Sequence, residues 1–194
     1  MKKLFYVMGK SASGKDTIYK RLLKEMPELE TATLYTTRPM RDGEKDGVEY
    51  YFTDEAVMNR LREEGKVIES RTYQTVCGPW TYATVDDGQF ERINGGCLMI
   101  GTLESYGRLK EYFGAERIFP IYVEVEDGLR LLRAVERERQ QKTPRYAELC
   151  RRFLADEADF SEENLRKCGI SVRYENTDLE KCLEQILTDI RKSL

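Results

Sequence analysis

Near the start of the chain stand seven residues whose types and order suit them to hold phosphate. Gly9-Lys10-Ser11-Ala12-Ser13-Gly14-Lys15 satisfies the pattern GxxxxGK. Glycines in such a loop let backbone N–H groups converge on phosphate oxygens, and Lys15 reaches towards the β- and γ-phosphates. A helix begun at this point adds the positive end of its dipole. One position breaks the pattern. Asp16 stands where a serine or threonine hydroxyl usually ligates Mg²⁺. Thr17 is next, yet one step along a helix turns a side chain by about 100°, so it does not simply substitute. Asp16 has two compatible uses: a first-turn acid favoured by the helix dipole, or a carboxylate that holds Mg²⁺ directly or through water.

A second cluster is Thr36-Thr37-Arg38-Pro39-Met40-Arg41-Asp42-Gly43-Glu44, followed by Gly47-Val48-Glu49-Tyr50-Tyr51-Phe52. Arg38 and Arg41 can converge on one phosphate with several donors each, and Tyr50 adds a neutral hydroxyl. A third is arginine-rich: Glu136-Arg137-Glu138-Arg139 and Arg151-Arg152 flank a polar segment with Pro144. Cationic donors of this kind suit the charge on a phosphoryl group in flight, and a closing flap excludes water. Part of that charge also belongs to ordinary ion pairs one helical turn apart. There is no histidine, which excludes Ser-His-Asp and Cys-His nucleophilic sites and any His-ligated metal. Phosphoryl transfer to a phosphate is little affected, because it rests on positioning and charge neutralisation.

These clusters need a scaffold. Residues 3–8 read as a buried strand and Gly9–Lys15 as a loop. Thr17–Met26 follows with Ile18, Leu22, Leu23 and Met26 on one helical face, stopped by Pro27. Further strands are expected at Thr33–Thr36, Val48–Phe52, Val67–Ser70, Cys97–Ile100, Arg117–Val125 and Ser171–Tyr174. Helices are expected at about 54–64, 103–113, 128–140, 145–156 and 178–192. Strand alternating with helix predicts an α/β sandwich of three layers on a parallel core sheet. The core comprises 1–35, 85–136 and 153–194. Residues 36–84, rich in Tyr, Thr, Arg and Gly, read as a small mixed α/β acceptor-binding insert, and 137–152 as a helical lid.

The 194 residues fit one domain with small inserts. A net charge of −3 argues against a nucleic-acid binder that neutralises phosphates. No apolar run approaches the roughly 20 residues that span a bilayer. The apolar start of the chain leads into a Gly-rich loop instead of a cleavage site, so a strand is expected there and not a signal peptide. Cys77, Cys97, Cys150, Cys168 and Cys182 form no CxxC pair, and reduced cytoplasmic thiols are expected.

TTRxxRxGExxGxxYYF beside an N-terminal phosphate loop strongly resembles guanylate kinases. The resemblance extends through Val67-Ile68-Glu69, Gly78-Pro79-Trp80-Thr81-Tyr82-Ala83-Thr84, the arginine-rich lid and Asn176-Thr177-Asp178-Leu179. It implies a P-loop NTPase fold that transfers the γ-phosphoryl group of ATP, with Mg²⁺, to GMP. ATP·Mg²⁺ is then expected on Gly9, Ser11, Ala12, Ser13, Gly14, Lys15, Asp16 and Thr17, with Asn176 on the same side. Arg38, Arg41 and Tyr50 are expected on the GMP phosphate, Glu69 on the guanine N–H edge, and Arg139 and Arg152 near the transferring phosphate.

The chain also departs from that family. Tyr35 stands where a serine is usual. Leu98-Met99-Ile100-Gly101-Thr102 lacks the two acids that end the matching strand, leaving Thr102 as the polar candidate. Trp80, Thr81 and Tyr82 compete for the place of a phosphate-binding tyrosine, with Tyr82 the choice. A carboxylate lost from the strand and gained at Asp16 suggests that the Mg²⁺ ligand has moved. A ribose 1,5-bisphosphate phosphokinase, which shares a GKD-type loop, and a kinase for another nucleotide are the nearest alternatives. A guanylate-kinase-like binding module would lose the loop, and a P-loop switch would leave Arg38 and Arg41 without use.

Overall fold

The computed structural model describes residues 3–75 and 78–194; Cys77, one of the expected reduced thiols, lies outside them. In chain order the elements begin with β1 (Lys3–Met8), α1 (Lys15–Glu25), β2 (Leu29–Glu30), β3 (Tyr35–Thr36), β4 (Tyr51–Phe52), α2 (Glu55–Glu63), β5 (Val67–Thr75) and β6 (Gly78–Val85). They continue with α3 (Gln89–Arg92), β7 (Gly96–Gly101), α4 (Leu103–Phe113), β8 (Ile118–Glu124), α5 (Asp127–Arg139), α6 (Tyr146–Asp159), α7 (Glu162–Lys167), β9 (Tyr174–Glu175) and α8 (Leu179–Ser193).

The alternation within β1 explains the layers. Leu4, Tyr6 and Met8 enter one apolar cluster and Phe5 and Val7 another, as the two-residue period of a strand requires. A strand apolar on both faces belongs inside a covered sheet, and β1 is the middle of five parallel strands in the order β2-β7-β1-β8-β9. Ile18 and Leu22 of α1 pack on one face with Leu183, Ile186 and Ile190 of α8. Tyr106 and Leu109 of α4 pack on the other with Leu165 of α7. Burying each such side chain contributes about 1.5–3 kcal/mol. The α/β class and the parallel core expected from the sequence are both present.

A second, mixed sheet has the order β4-β3-β6-β5. Most of it was hard to see. β6 has no counterpart among the expected strands, because Gly78-Pro79 reads as a turn. Pro79 is tolerated at the second residue of β6, where it lies opposite Gln74 of β5 and beyond the reach of β3. The strand expected at Val48–Phe52 shrinks to Tyr51–Phe52, since Gly47 takes a left-handed φ of 78° and bonds back to the Tyr50 carbonyl. That expected at Thr33–Thr36 shrinks to Tyr35–Thr36. In the lid region α5 ends at Arg139 and α6 runs on to Asp159, so only a short connection with Pro144 is non-helical.

Candidate phosphate and acceptor sites

The phosphate loop joins β1 to α1, so its carbon chain rises from the carboxyl end of the central strand. Ala12 has φ 64° and Gly14 φ 87°. Alternating backbone conformations of this kind turn successive N–H groups inwards into an anion-binding concavity. Among the described residues, the N–H groups of Gly14, Lys15, Asp16 and Thr17 have no hydrogen-bond acceptor, as expected of a helix start without a capping side chain. A Cβ on Gly9 would come within 2.4 Å of the Val123 carbonyl oxygen, so the loop's first glycine is needed for close packing. Ser13 Oγ is buried there without a partner. Lys15 Nζ lies 3.5 Å from the Asp16 carboxylate, which is three-quarters exposed.

Several contacts hold the loop's shape. Asn176 Nδ2 donates to the Ser13 carbonyl at 2.8 Å, which places Asn176 on the back of the loop. Ser11 N–H donates to Asp156 at 2.7 Å, and Lys10 pairs with Asp127 and Glu157 at 3.4 and 2.8 Å. Arg130 lies at the centre, 1 % exposed, bonded to Asp127 and Glu157 and within 3.5 Å of Asp156. Its guanidinium stacks 4.0 Å over Phe153. Burial opposes ionisation of Asp127, but Arg130 and Lys10 outweigh it and hold the carboxyl below its ordinary value. The sequence reading missed Arg130. Its signal is positional: Arg130, Ala134 and Arg137 share one helical face.

The acceptor cluster sits on the mixed sheet. Arg38 is 3 % exposed. Both of its terminal nitrogens bond Glu44, at 3.0 and 2.8 Å, and this pairing holds the guanidinium above its usual value and the carboxyl below it. The rings of Tyr50 and Phe52 lie 5.5 and 5.4 Å from Arg38. Arg41 is exposed, and its backbone N–H donates to Glu44. Tyr82 stands edge-on to Tyr50 at 5.6 Å. Of the three competing residues it is the one in this cluster, since Thr81 is buried and bonded to Thr72 and Glu55.

Tyr82 also lines a cavity of about 250 Å³ with Tyr6, Glu69, Arg71, Tyr73, Thr84, Gly101 and Ser105. Glu69 accepts a 2.7 Å hydrogen bond from Thr84 and lies 3.6 Å from Arg71. Arg71 and Tyr73 were missed, although a strand's two-residue period aligns them with Glu69. Two expected residues lie elsewhere. The Tyr35 phenol donates to Asp87 at 2.8 Å, beside Met58 and Val85; burial, then this bond, raises its ionisation point. Thr102 caps α4 through Ser105 N–H and borders the neighbouring cavity.

The arginines that line the cavity beside the loop differ in part from those expected. Ser11, Arg130, Arg137, Arg145 and Arg152 line one cavity between α5 and α6. Arg139 is not among them: two residues beyond Arg137 on a helix turns a side chain by about 200°. Arg152 is tied to Glu148 at 2.8 Å. Arg137 and Arg145, which the sequence reading did not select, share this cavity with Ser11 of the loop.

The fold and this geometry define an α/β protein with a GxxxxGK loop and a separate cavity beside the mixed sheet. A family model described as guanylate kinase matches residues 1–87. Among curated proteins, the guanylate kinase of Thermobifida fusca is 46% identical over 68 residues, 35% of either chain. That of Nostoc sp. is 32% identical over 105 residues, 54% of this chain and 51% of its own. The chain thus spans about a third to a half of the length of these relatives. Among solved structures, guanylate kinase from Anaplasma phagocytophilum superposes with TM-score 0.59 over 98% of this chain and 85% of that one, at 23% identity. The fold is therefore the guanylate kinase fold, and the resemblance seen in the motifs is present in sequence and structure alike.

Proposed function

We propose that this chain transfers the γ-phosphoryl group of ATP to GMP, giving ADP and GDP. The observation that carries the reading is one continuous arrangement: Tyr82 joins the Arg38–Tyr50 cluster to the cavity that contains Glu69. A phosphate is held at one end and a ring with N–H donors at the other. An ionised carboxylate accepts from the two adjacent N–H groups that guanine presents, whereas a sugar bisphosphate leaves it unused.

On this reading the free N–H groups of Gly14–Thr17 and Lys15 bind the ATP phosphates. Magnesium ions commonly take one or two carboxylates and complete their shell with phosphates and water. The single exposed carboxylate of Asp16 at the loop suits that, and among the described residues no cluster of three potential ligands forms. Bound there, Mg²⁺ would neutralise phosphate charge. Arg38 and Arg41 orient the acceptor phosphate, which is already ionised at neutral pH. Arg137, Arg145 and Arg152 stabilise charge on the group in flight when the lid helices close. Residues 36–84 then act as the acceptor-binding insert, and Asn176 shapes the loop.

Steady-state turnover of Glu69→Gln tests the guanine reading. One charged hydrogen bond contributes about 1.5–3 kcal/mol, so kcat/KM for GMP is expected to fall by about 10- to 150-fold while KM for ATP is kept. An unchanged kcat/KM for GMP removes Glu69 from the site and with it the argument for guanine.

A further inference from the structure

Glu69 satisfies only part of a guanine edge. Beside the N–H donors of that base lies the carbonyl oxygen O6, which needs a donor. Two hydroxyls of this region are committed: Thr84 donates to Glu69, and Tyr35 donates to Asp87. Arg71 is different. Its side chain is 24% exposed, it lies 3.6 Å from Glu69, beyond hydrogen-bond range, and among the described residues it makes no hydrogen bond. It stands between the base cavity and a neighbouring cavity of about 550 Å³. Paired with Glu69 only at ion-pair distance, the partly covered guanidinium keeps N–H donors free for a ligand in the cavity. Ser105 reinforces it: Oγ is buried in the wall of the same cavity, near the Tyr6 phenol, and forms no hydrogen bond of ordinary geometry.

We propose that Arg71 is a specificity-determining residue, which with Ser105 donates to the ring carbonyl of the acceptor base while Glu69 accepts from the adjacent ring N–H groups. The inference rests on the nucleotide-kinase reading above. It adds to that reading the side chains that read the 6-oxo group next to N1–H. The pair also explains why a cation sits beside the carboxylate. Arg71 screens Glu69 while the pocket is empty, and the base separates the two by offering each its complement. An adenine edge sets an amino donor against Arg71 at position 6 and an unprotonated N1 against Glu69.

The test compares GMP with 2-aminopurine riboside 5′-monophosphate, which keeps the 2-amino group but lacks both the oxygen and N1–H, so the effect of each Arg71 variant is compared between the two ligands. Binding of each is measured by calorimetry, beside ATP-dependent turnover of GMP, for the unaltered chain and for Arg71→Ala, Arg71→Lys and Ser105→Ala. Arg71→Ala is expected to weaken GMP by about 10- to 100-fold, the range of a charge-assisted hydrogen bond, and the aminopurine nucleotide by less than about threefold. Arg71→Lys, which keeps charge but loses the fork, is expected to fall between, with KM for ATP unchanged as the control for folding. Equal loss for both ligands, or loss for neither, overturns the role of Arg71. Absence of GMP turnover in the unaltered chain overturns the kinase reading itself, which is a separate result.

Discussion

Arg130→Met is the sharpest perturbation of the phosphate loop. The substitution removes a guanidinium that is 1 % exposed and leaves Asp127 and Glu157 with Lys10 alone and Asp156 with the Ser11 N–H. Removing one partner of a buried ion pair costs about 3–5 kcal/mol. Here Asp127 and Glu157 are 47% and 37% exposed, so solvent relieves part of the repulsion, whereas Asp156 at 17% is less relieved. Methionine also retains much of the apolar contact with Phe153. A loss of about 2–4 kcal/mol follows, and at about 2–4 °C per kcal/mol for a chain of this size Tm falls by about 4–16 °C. Urea unfolding followed by circular dichroism measures the free-energy loss, and a thermal scan measures the fall in Tm. ATP affinity should fall as well, because Asp156 and Glu157 hold Ser11 and Lys10. Arg130→Met with Glu157→Gln should recover part of the stability. A loss below about 0.5 kcal/mol, or no recovery in the double variant, would refute the argument that Arg130 neutralises this cluster.

Three further outcomes follow from individual contacts. Tyr35→Phe breaks the bond to Asp87 and should cost about 0.5–1.5 kcal/mol of stability, while kcat/KM for GMP stays within twofold; a large, selective loss of GMP turnover would return Tyr35 to the base site. Asp16→Ser should raise the Mg²⁺ concentration needed for half-maximal turnover several-fold, and an unchanged Mg²⁺ titration would show that this carboxylate is only a helix-start acid. Hydrogen bonds from Arg151 and then Arg152 pull the Glu148 carboxyl down to about 2. Its contribution is therefore complete above the ordinary carboxylate value and lost as pH falls towards 2. Acid unfolding of Glu148→Gln should lose that part of its slope, and an identical acid profile would contradict the pairing.

The core was legible because its signals are local. Period-two alternation in residues 4–8 and the apolar face of Ile18 and Leu22 fix both layers around β1, and GxxxxGK places the phosphate loop between them. On the acceptor side the sequence offered candidate residues, in Arg38, Arg41, Tyr50 and Glu69, but not the architecture. β6 carries Gly78 and Pro79, which read locally as a turn and become a strand only through pairing with β5 and β3. The resemblance pointed to Arg139, whereas Arg137, about 200° away round the helix, lines the cavity with Ser11. Arg71 and Arg130 were missed for another reason. A lone arginine reads as surface, and nothing local reveals that it is covered.

The measurement that bears most directly on the account is ATP-dependent ADP release with Mg²⁺, offering GMP, dGMP, AMP, CMP, UMP, dTMP and ribose 1,5-bisphosphate in parallel. The account predicts turnover with GMP and dGMP, GDP or dGDP formed in equal amount to ADP, and at least about tenfold lower kcat/KM for the other acceptors, as one unmatched charged hydrogen bond requires. Turnover of ribose 1,5-bisphosphate or a pyrimidine nucleotide in preference to GMP would contradict it.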